Sequence, residues 1–213
     1  MTKRAEAAAK RREQILEAAV TCFLEAGYHQ TGVRDITERA GISLGNLYNH
    51  FPGKHDILVE IAARERADFE PFLELLSQPA EPMELVRRFA TEYGTYLAAP
   101  ENVILAIEIT SEAIRKPDIG QLFVDNRSVL LKGLAAVLAR GIQDGSMRPT
   151  LDPVEAAELV VESLEGSAYR SVLGELPPGK VIPGVRDFIL AALRAAPEDP
   201  AESLTPAPRE DSM

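Results

Sequence analysis

Apolar residues in this 213-residue chain recur at intervals of three and four and do not settle into the alternation of a strand. That periodicity restricts the chain to an all-α fold of about nine helices. The first runs from about Lys10 to Ala26, where Ile15, Ala19, Cys22 and Ala26 share one stripe and Gly27 supplies a stop. Two short segments follow, Val33–Ala40 and Leu44–Phe51. A long segment then covers Lys54 to about Leu76, and Pro79 and Pro82 bound a linker. Further helices are expected over Met83–Ala98, Glu101–Lys116 and Asp118–Gln143. The Asp152-Pro153-Val154-Glu155 start combines a capping side chain, a proline at the first helical position and an acid in the first turn. That helix reaches about Leu173, and the last covers roughly Ile182–Ala196.

Charge divides the chain. Through Asp56 there are eight Lys and Arg against seven Asp and Glu, and the remainder holds fifteen against twenty-six, so the net −10 is carried by the second part. Basic residues gather at Lys3, Arg4, Lys10, Arg11 and Arg12, a charge asymmetry that suits either a nucleic-acid contact or a solvated start. The division suggests a head over 1–56, a body over 57–196 and a disordered tail over 197–213, which is rich in Pro, Ser and acidic residues. One cysteine, Cys22, excludes an internal disulfide framework and reads as core. No stretch approaches the ~18 uninterrupted apolar residues of a membrane span. No apolar run follows the basic start, so no secretory signal is expected. A cytoplasmic protein without membrane contact is the expectation.

The two short segments meet the physical needs of a helix-turn-helix. Val33, Ile36 and Ala40 face inward, Gly41 permits the turn and Ser43 caps the second helix. Leu47 and Phe51 face in at i, i+4, which turns Gly45, Asn46 and Asn49 outward. Gly45 lets backbone approach a phosphate, and Asn46 and Asn49 are suited to base edges. Tyr48, His50 and Lys54 are placed to touch the phosphate backbone.

From Gly27 to Lys54 the chain resembles the DNA-binding signature of the TetR family of transcriptional regulators. It has a glycine ending helix one, Thr31 before helix two, Ile36 where the family has an Ile-Ala pair, and then Ser43-x-Gly45-x-Leu47-Tyr48-x-His50-Phe51-x-x-Lys54. The resemblance implies a DNA-binding set of Thr31, Arg34, Ser43, Leu44, Gly45, Asn46, Tyr48, Asn49, His50 and Lys54. Two positions depart from it. Thr37 stands where alanine is usual, with bulk that would shift the packing of the short helices. Leu44 stands where a basic residue is common, either touching a thymine methyl or extending the Leu47/Phe51 stripe.

The body carries no catalytic motif, no histidine after His55 and no metal-ligand cluster, so neither enzyme activity nor a cofactor is expected. His50 and His55 do not share a helix face, because Pro52 interrupts them. Glu108 and Glu112, at i, i+4, read as a solvated face or as part of a cation-binding pocket. By the resemblance the body holds a small-molecule effector, with Phe89, Tyr93, Tyr96, Ile107, Phe123 and Tyr169 as candidate lining. Such a lining suits a hydrophobic, neutral or cationic effector, while Arg87, Arg88, Arg115 and Arg127 keep an anion possible. Leu159, Val160, Val161, Leu164, Val172, Val185, Ile189, Leu190 and Leu193 exceed one buried stripe, and a homodimer is expected. The reading is a repressor released from a palindromic double-stranded operator by a ligand. An all-α enzyme or small-molecule carrier with a vestigial head is the alternative.

Overall fold

A computed structural model describes residues 3–174 and 177–195. Among them, ten α-helices and no strand are formed: α1 Lys3–Ala26, α2 Val33–Ala40, α3 Leu44–Tyr48, α4 Lys54–Asp68, α5 Glu70–Leu76, α6 Pro82–Leu97, α7 Pro100–Ala113, α8 Pro117–Gln143, α9 Pro153–Val172 and α10 Pro178–Leu193. The tail expected from 197 onward and the expected last helical residue, Ala196, lie outside the described residues.

The helix beyond the expected nine comes from a break in the segment over 54–76. Pro71 sits at the second position of α5. It has no N–H to donate, and its ring would strike the carbonyl of Ala67 in a continuous helix, so α4 ends at Asp68. α10 begins four residues earlier than the periodicity predicts, and its interior Pro183 lies near its start. The expected cap of α9 forms: Asp152 Oδ1 accepts from Val154 N at 2.8 Å and Glu155 N at 2.9 Å. Gly27 and Gly41 close α1 and α2 at φ +82° and +63°, a region costly for any residue with a Cβ.

Two cores result. One joins α1–α4 through Ile15, Phe23, Ile36, Leu47, Phe51, Ile57 and Leu58, and it extends into the body through Ile109 of α7 and Ile119 of α8. The other fills the body with Phe72, Leu85, Phe89, Tyr93, Leu134, Val161 and Leu164. α4 packs against α1 on one side and α8 on the other, and so belongs to both. The C-terminus of α10 is tied to the α8–α9 loop, where Arg148 N donates to Leu193 O at 3.0 Å. No helix among the described residues is long and apolar enough to cross a membrane.

Candidate nucleic-acid interface and effector cavity

The helix-turn-helix is assembled by local signals and then braced from α1. Ser43 Oγ accepts from Asn46 N at 3.2 Å and starts α3. α3 is shorter than predicted, ending at Tyr48, and residues 49–51 close it as a turn with Phe51 buried beneath. Gln14 donates to Ala40 O at 2.6 Å. Arg12 donates to His50 O and to Glu60 Oε2, both at 2.8 Å, and its guanidinium lies 4.1 Å from the Phe51 ring centre. Arg12 is therefore a brace, whereas Lys3, Arg4 and Lys10 of the same cluster stay exposed. Thr37 is buried without disturbing the pair, because its hydroxyl donates to Arg34 O at 2.9 Å.

Arg34, Ser43, Leu44, Gly45, Tyr48 and Asn49 are all exposed. Leu44 is 37 % exposed and does not join the Leu47/Phe51 core, so the packing alternative is not the one adopted. A Cβ added at Gly45 would meet nothing within 4 Å, leaving the backbone open to an approaching group. Asn46 and His50 are half-buried. Asn46 Oδ1 is buried and finds no hydrogen-bond partner among the described residues.

Two predicted contact residues point elsewhere. Thr31 is buried, its hydroxyl donating to Gly27 O at 2.9 Å and Cys22 O at 3.2 Å. Lys54 donates to Tyr28 O at 2.5 Å and Thr31 O at 2.7 Å, with its ammonium 4.2 Å from the Tyr28 ring centre. Burial pulls its pKa below the usual lysine value. The reason is geometric: carbonyls of the α1–α2 turn converge on the start of α4, and the ammonium supplies their hydrogen-bond donor.

The same turn is held from the body. Glu108 of α7 accepts from Tyr28 N at 2.9 Å, and Glu112, buried one turn on, places Oε1 3.0 Å from His29 Nε2. The carboxylate pair is thus neither a solvated face nor part of an effector pocket. His55 of α4 meets Asp118 of α8 at 2.6 Å, and this bond holds the Asp118 carboxyl below its usual range.

Between α4, α6, α7, α8 and α9 lies a cavity lined by Phe69, Tyr93, Tyr96, Phe123 and Tyr169, with Glu65, Arg127 and Glu165 among them. Its enclosed volume is about 50 Å³, several times the ~10–15 Å³ one water needs. Through Glu65, Tyr96, Asn102 and Ala106 it adjoins a more open cleft of about 460 Å³ between α1, α4 and α7. Tyr93 and Tyr96 stack at 6.2 Å. Arg127 faces Glu165 at 3.5 Å and Glu162 at 3.9 Å. Burial pushes Glu65 up to about 7, against a hydrogen bond from Asn126 and with help from Asp68 and Glu165; Glu165 is raised by burial too. Of the candidate lining, Phe89 lies one layer deeper, stacked on Tyr93 at 5.1 Å, and Ile107 is 49 % exposed on the outer side of α7. Sequence reasoning missed Glu65 and Glu165. The available signal was a charge inside an inward stripe: Glu65 between Ala62 and Phe69, Glu165 between Val161 and Ala168.

An apolar groove on α9 and α10 is lined by Leu151, Leu159, Val160, Phe188, Ile189 and Ala192, with Phe188 70 % exposed. Most apolar positions named from sequence are spent inside the chain's own core. Leu159 remains outside, and Phe188 and Val154 join it. Among the described residues no group of three or more His, Cys, Asp or Glu is placed to hold a metal ion.

Residues 15–61 match the family described as bacterial regulatory proteins, tetR family, and residues 84–180 match the C-terminal domain of AefR-like transcriptional repressors. The HTH-type transcriptional repressor KstR2 of Mycolicibacterium smegmatis is 31% identical over 179 residues, 80% of this chain and 82% of that protein. A transcriptional regulator from Saccharomonospora viridis, solved in complex with choline, superposes with a TM-score of 0.78 at 24% identity, covering 87% of this chain and 98% of the other. FadR of Bacillus subtilis, in complex with stearoyl-CoA, gives 0.72 at 24%, covering 84% and 98%. At these identities the two structures share the fold.

Proposed function

This chain belongs to the tetR family of bacterial regulatory proteins, and from that premise we propose that it is a cytoplasmic, homodimeric repressor released from a palindromic operator by a small molecule. One observation carries the reading: α4 begins at Lys54, under the helix-turn-helix, and its last turns bring Glu65, and Phe69 just past its end, into the wall of the cavity. A ligand that repositions the cavity end of this helix repositions the head, and two heads must keep a spacing of about 34–36 Å to enter successive major grooves. By linkage, operator DNA weakens the ligand by the factor by which the ligand weakens DNA.

The exposed face of Arg34, Leu44, Gly45, Tyr48 and Asn49, with Asn46 and His50 at its edge, is the proposed DNA surface. Asn46 and Asn49 read bases, and Arg34, Tyr48 and His50 position the backbone. The α9–α10 groove is the proposed dimer face, where a second copy covers Leu159 and Phe188. The solved relatives hold molecules as different as stearoyl-CoA and choline, so the fold leaves the effector to the lining, which is aromatic and favours a hydrophobic body.

The test is a mobility-shift titration with operator-sized duplexes, then a thermal-shift screen whose hits are assayed for DNA release. Operator binding with release by a cavity ligand is expected. Failure to shift even random-sequence DNA at low salt would favour the enzyme or carrier alternative.

A further inference from the structure

Resting on the reading of this cavity as the effector site, we propose that its ligand is an organic cation: a quaternary or tertiary ammonium group on an apolar body, held by Tyr93, Tyr96, Phe123 and Tyr169 against Glu65 and Glu165. Four aromatic side chains from three helices enclose a chamber of about 50 Å³. A cation within ~6 Å of such ring faces is attracted by their quadrupoles, most strongly where water is excluded. That volume admits a compact head group, and the adjoining cleft of about 460 Å³, walled by Leu16, Val20, Ile61 and Leu105, takes the apolar remainder.

Charge decides the sign. The chamber's one guanidinium, Arg127, already faces Glu165 at 3.5 Å and Glu162 at 3.9 Å. The Tyr93 hydroxyl, on the same chamber wall, partly offsets the burial that raises the Glu165 carboxyl. An incoming carboxylate or phosphate would have to take Arg127 from these partners and then face Glu65 and Glu165 unpaired, which is costly where these groups are partly withdrawn from water. Glu65 has no cation of its own inside the chamber; it receives Asn126 Nδ2 at 3.4 Å. Around it stand Asp68 on its own helix, Tyr93 and Tyr96 on α6, Arg127 on α8, and Glu165 and Tyr169 on α9. Asn102 of α7 brings no charge, and Glu13, Glu17 and Arg64 lie at the outer cleft. With Arg127 matched to Glu165, the ionised chamber carries a surplus negative charge that a bound cation would neutralise.

Because burial holds Glu65 near 7, cation binding competes with its proton, and affinity should climb roughly tenfold between about pH 6 and pH 8. The experiment titrates the full chain calorimetrically with benzyltrimethylammonium, its uncharged carbon isostere neopentylbenzene, and benzoate, at both pH values. The cation should bind roughly tenfold or more tightly than the isostere at the higher pH, with the pH rise absent in Glu65→Gln. Tyr96→Leu should weaken the cation several-fold while leaving the isostere unchanged, and melting curves of both variants establish that they are folded. Benzoate or the isostere binding as tightly as the cation, no cation binding at millimolar concentration, or a pH rise that survives Glu65→Gln each overturns the proposal. A cation that binds as described without releasing operator DNA leaves this inference standing and removes the ligand-release reading. A neutral or anionic cavity ligand that releases DNA does the reverse.

Discussion

Glu108 of α7 accepts the backbone N–H of Tyr28 at 2.9 Å, so a side chain of the body completes the turn that leads into the helix-turn-helix. Tyr28 is buried, and Gly27 lies so close that an added Cβ would meet Glu108 Oε1 at 3.2 Å. Removing this acceptor strands a buried donor. Glu108→Ala should cost about 1–3 kcal/mol in a urea titration, and Glu108→Gln, which keeps an acceptor oxygen, should cost less. Equal losses for both would show that the hydrogen bond is not what matters there.

Lys54→Ala separates an internal brace from a phosphate contact. With two carbonyls losing their shared donor, stability should fall by about 1–3 kcal/mol. The slope of log affinity for DNA against log salt should stay unchanged. A lost phosphate contact would instead lower that slope by about one.

On the proposed DNA face, Arg34→Ala and Tyr48→Phe should weaken binding to all sequences alike, since backbone contacts position the protein. Asn49→Ala should remove preference at particular base pairs by ~1–3 kcal/mol if it makes a bidentate contact. Competition assays over single-base operator variants distinguish the two patterns.

Glu65 gives a pH dependence of known sign. Its folded pKa, about 7, lies above the ordinary glutamate value of 4.5. The group is therefore neutral at no cost at low pH, and its ionisation penalises the fold increasingly as pH rises through that interval. Glu65→Gln removes the penalty and should be more stable than the parent at pH 8, by on the order of 2 kcal/mol after allowance for the water reaching a half-buried carboxylate. The difference should shrink towards zero near pH 4, as thermal melts across the range would register.

Placing a charge on the α9–α10 groove should separate protomers. Phe188→Glu with Leu159→Glu would bring like charges into the proposed interface. Sedimentation should then report a 23.2 kDa species where the parent gives one of about twice that mass. Operator affinity should collapse with it, while the melting of the isolated protomer changes little, because both side chains are exposed. A parent that already sediments as a monomer would remove the dimer from the reading.

What the sequence determined by itself was local. Ser43 and Asp152 start helices through bonds to neighbours two or three residues away, Pro153 through its fixed φ at the first helical position, and Gly27 and Gly41 end them through a conformation other residues avoid. The helix-turn-helix, with its outward Gly45, Tyr48 and Asn49, follows from such short-range rules. Pro71, which breaks the 54–76 segment, belongs to the same class of short-range signal. The tertiary structure alone decided which helix faces meet. A Glu108/Glu112 pair at i, i+4 looks identical in sequence whether it meets water or the turn of another unit, and only the docking of α7 on α1 made it a joint. Lys54 read as a phosphate contact, and Arg12 as part of a cluster suited either to nucleic acid or to solvent, until the carbonyls that capture them, 26 and 23 residues away for Lys54 and 38 for Arg12, came within reach. The charged members of the cavity were hidden for the same reason. Helical periodicity fixes which residues share a face, but the pairing of Arg127 with Glu165, and the burial that lifts Glu65, arise only when α4, α8 and α9 enclose a common space.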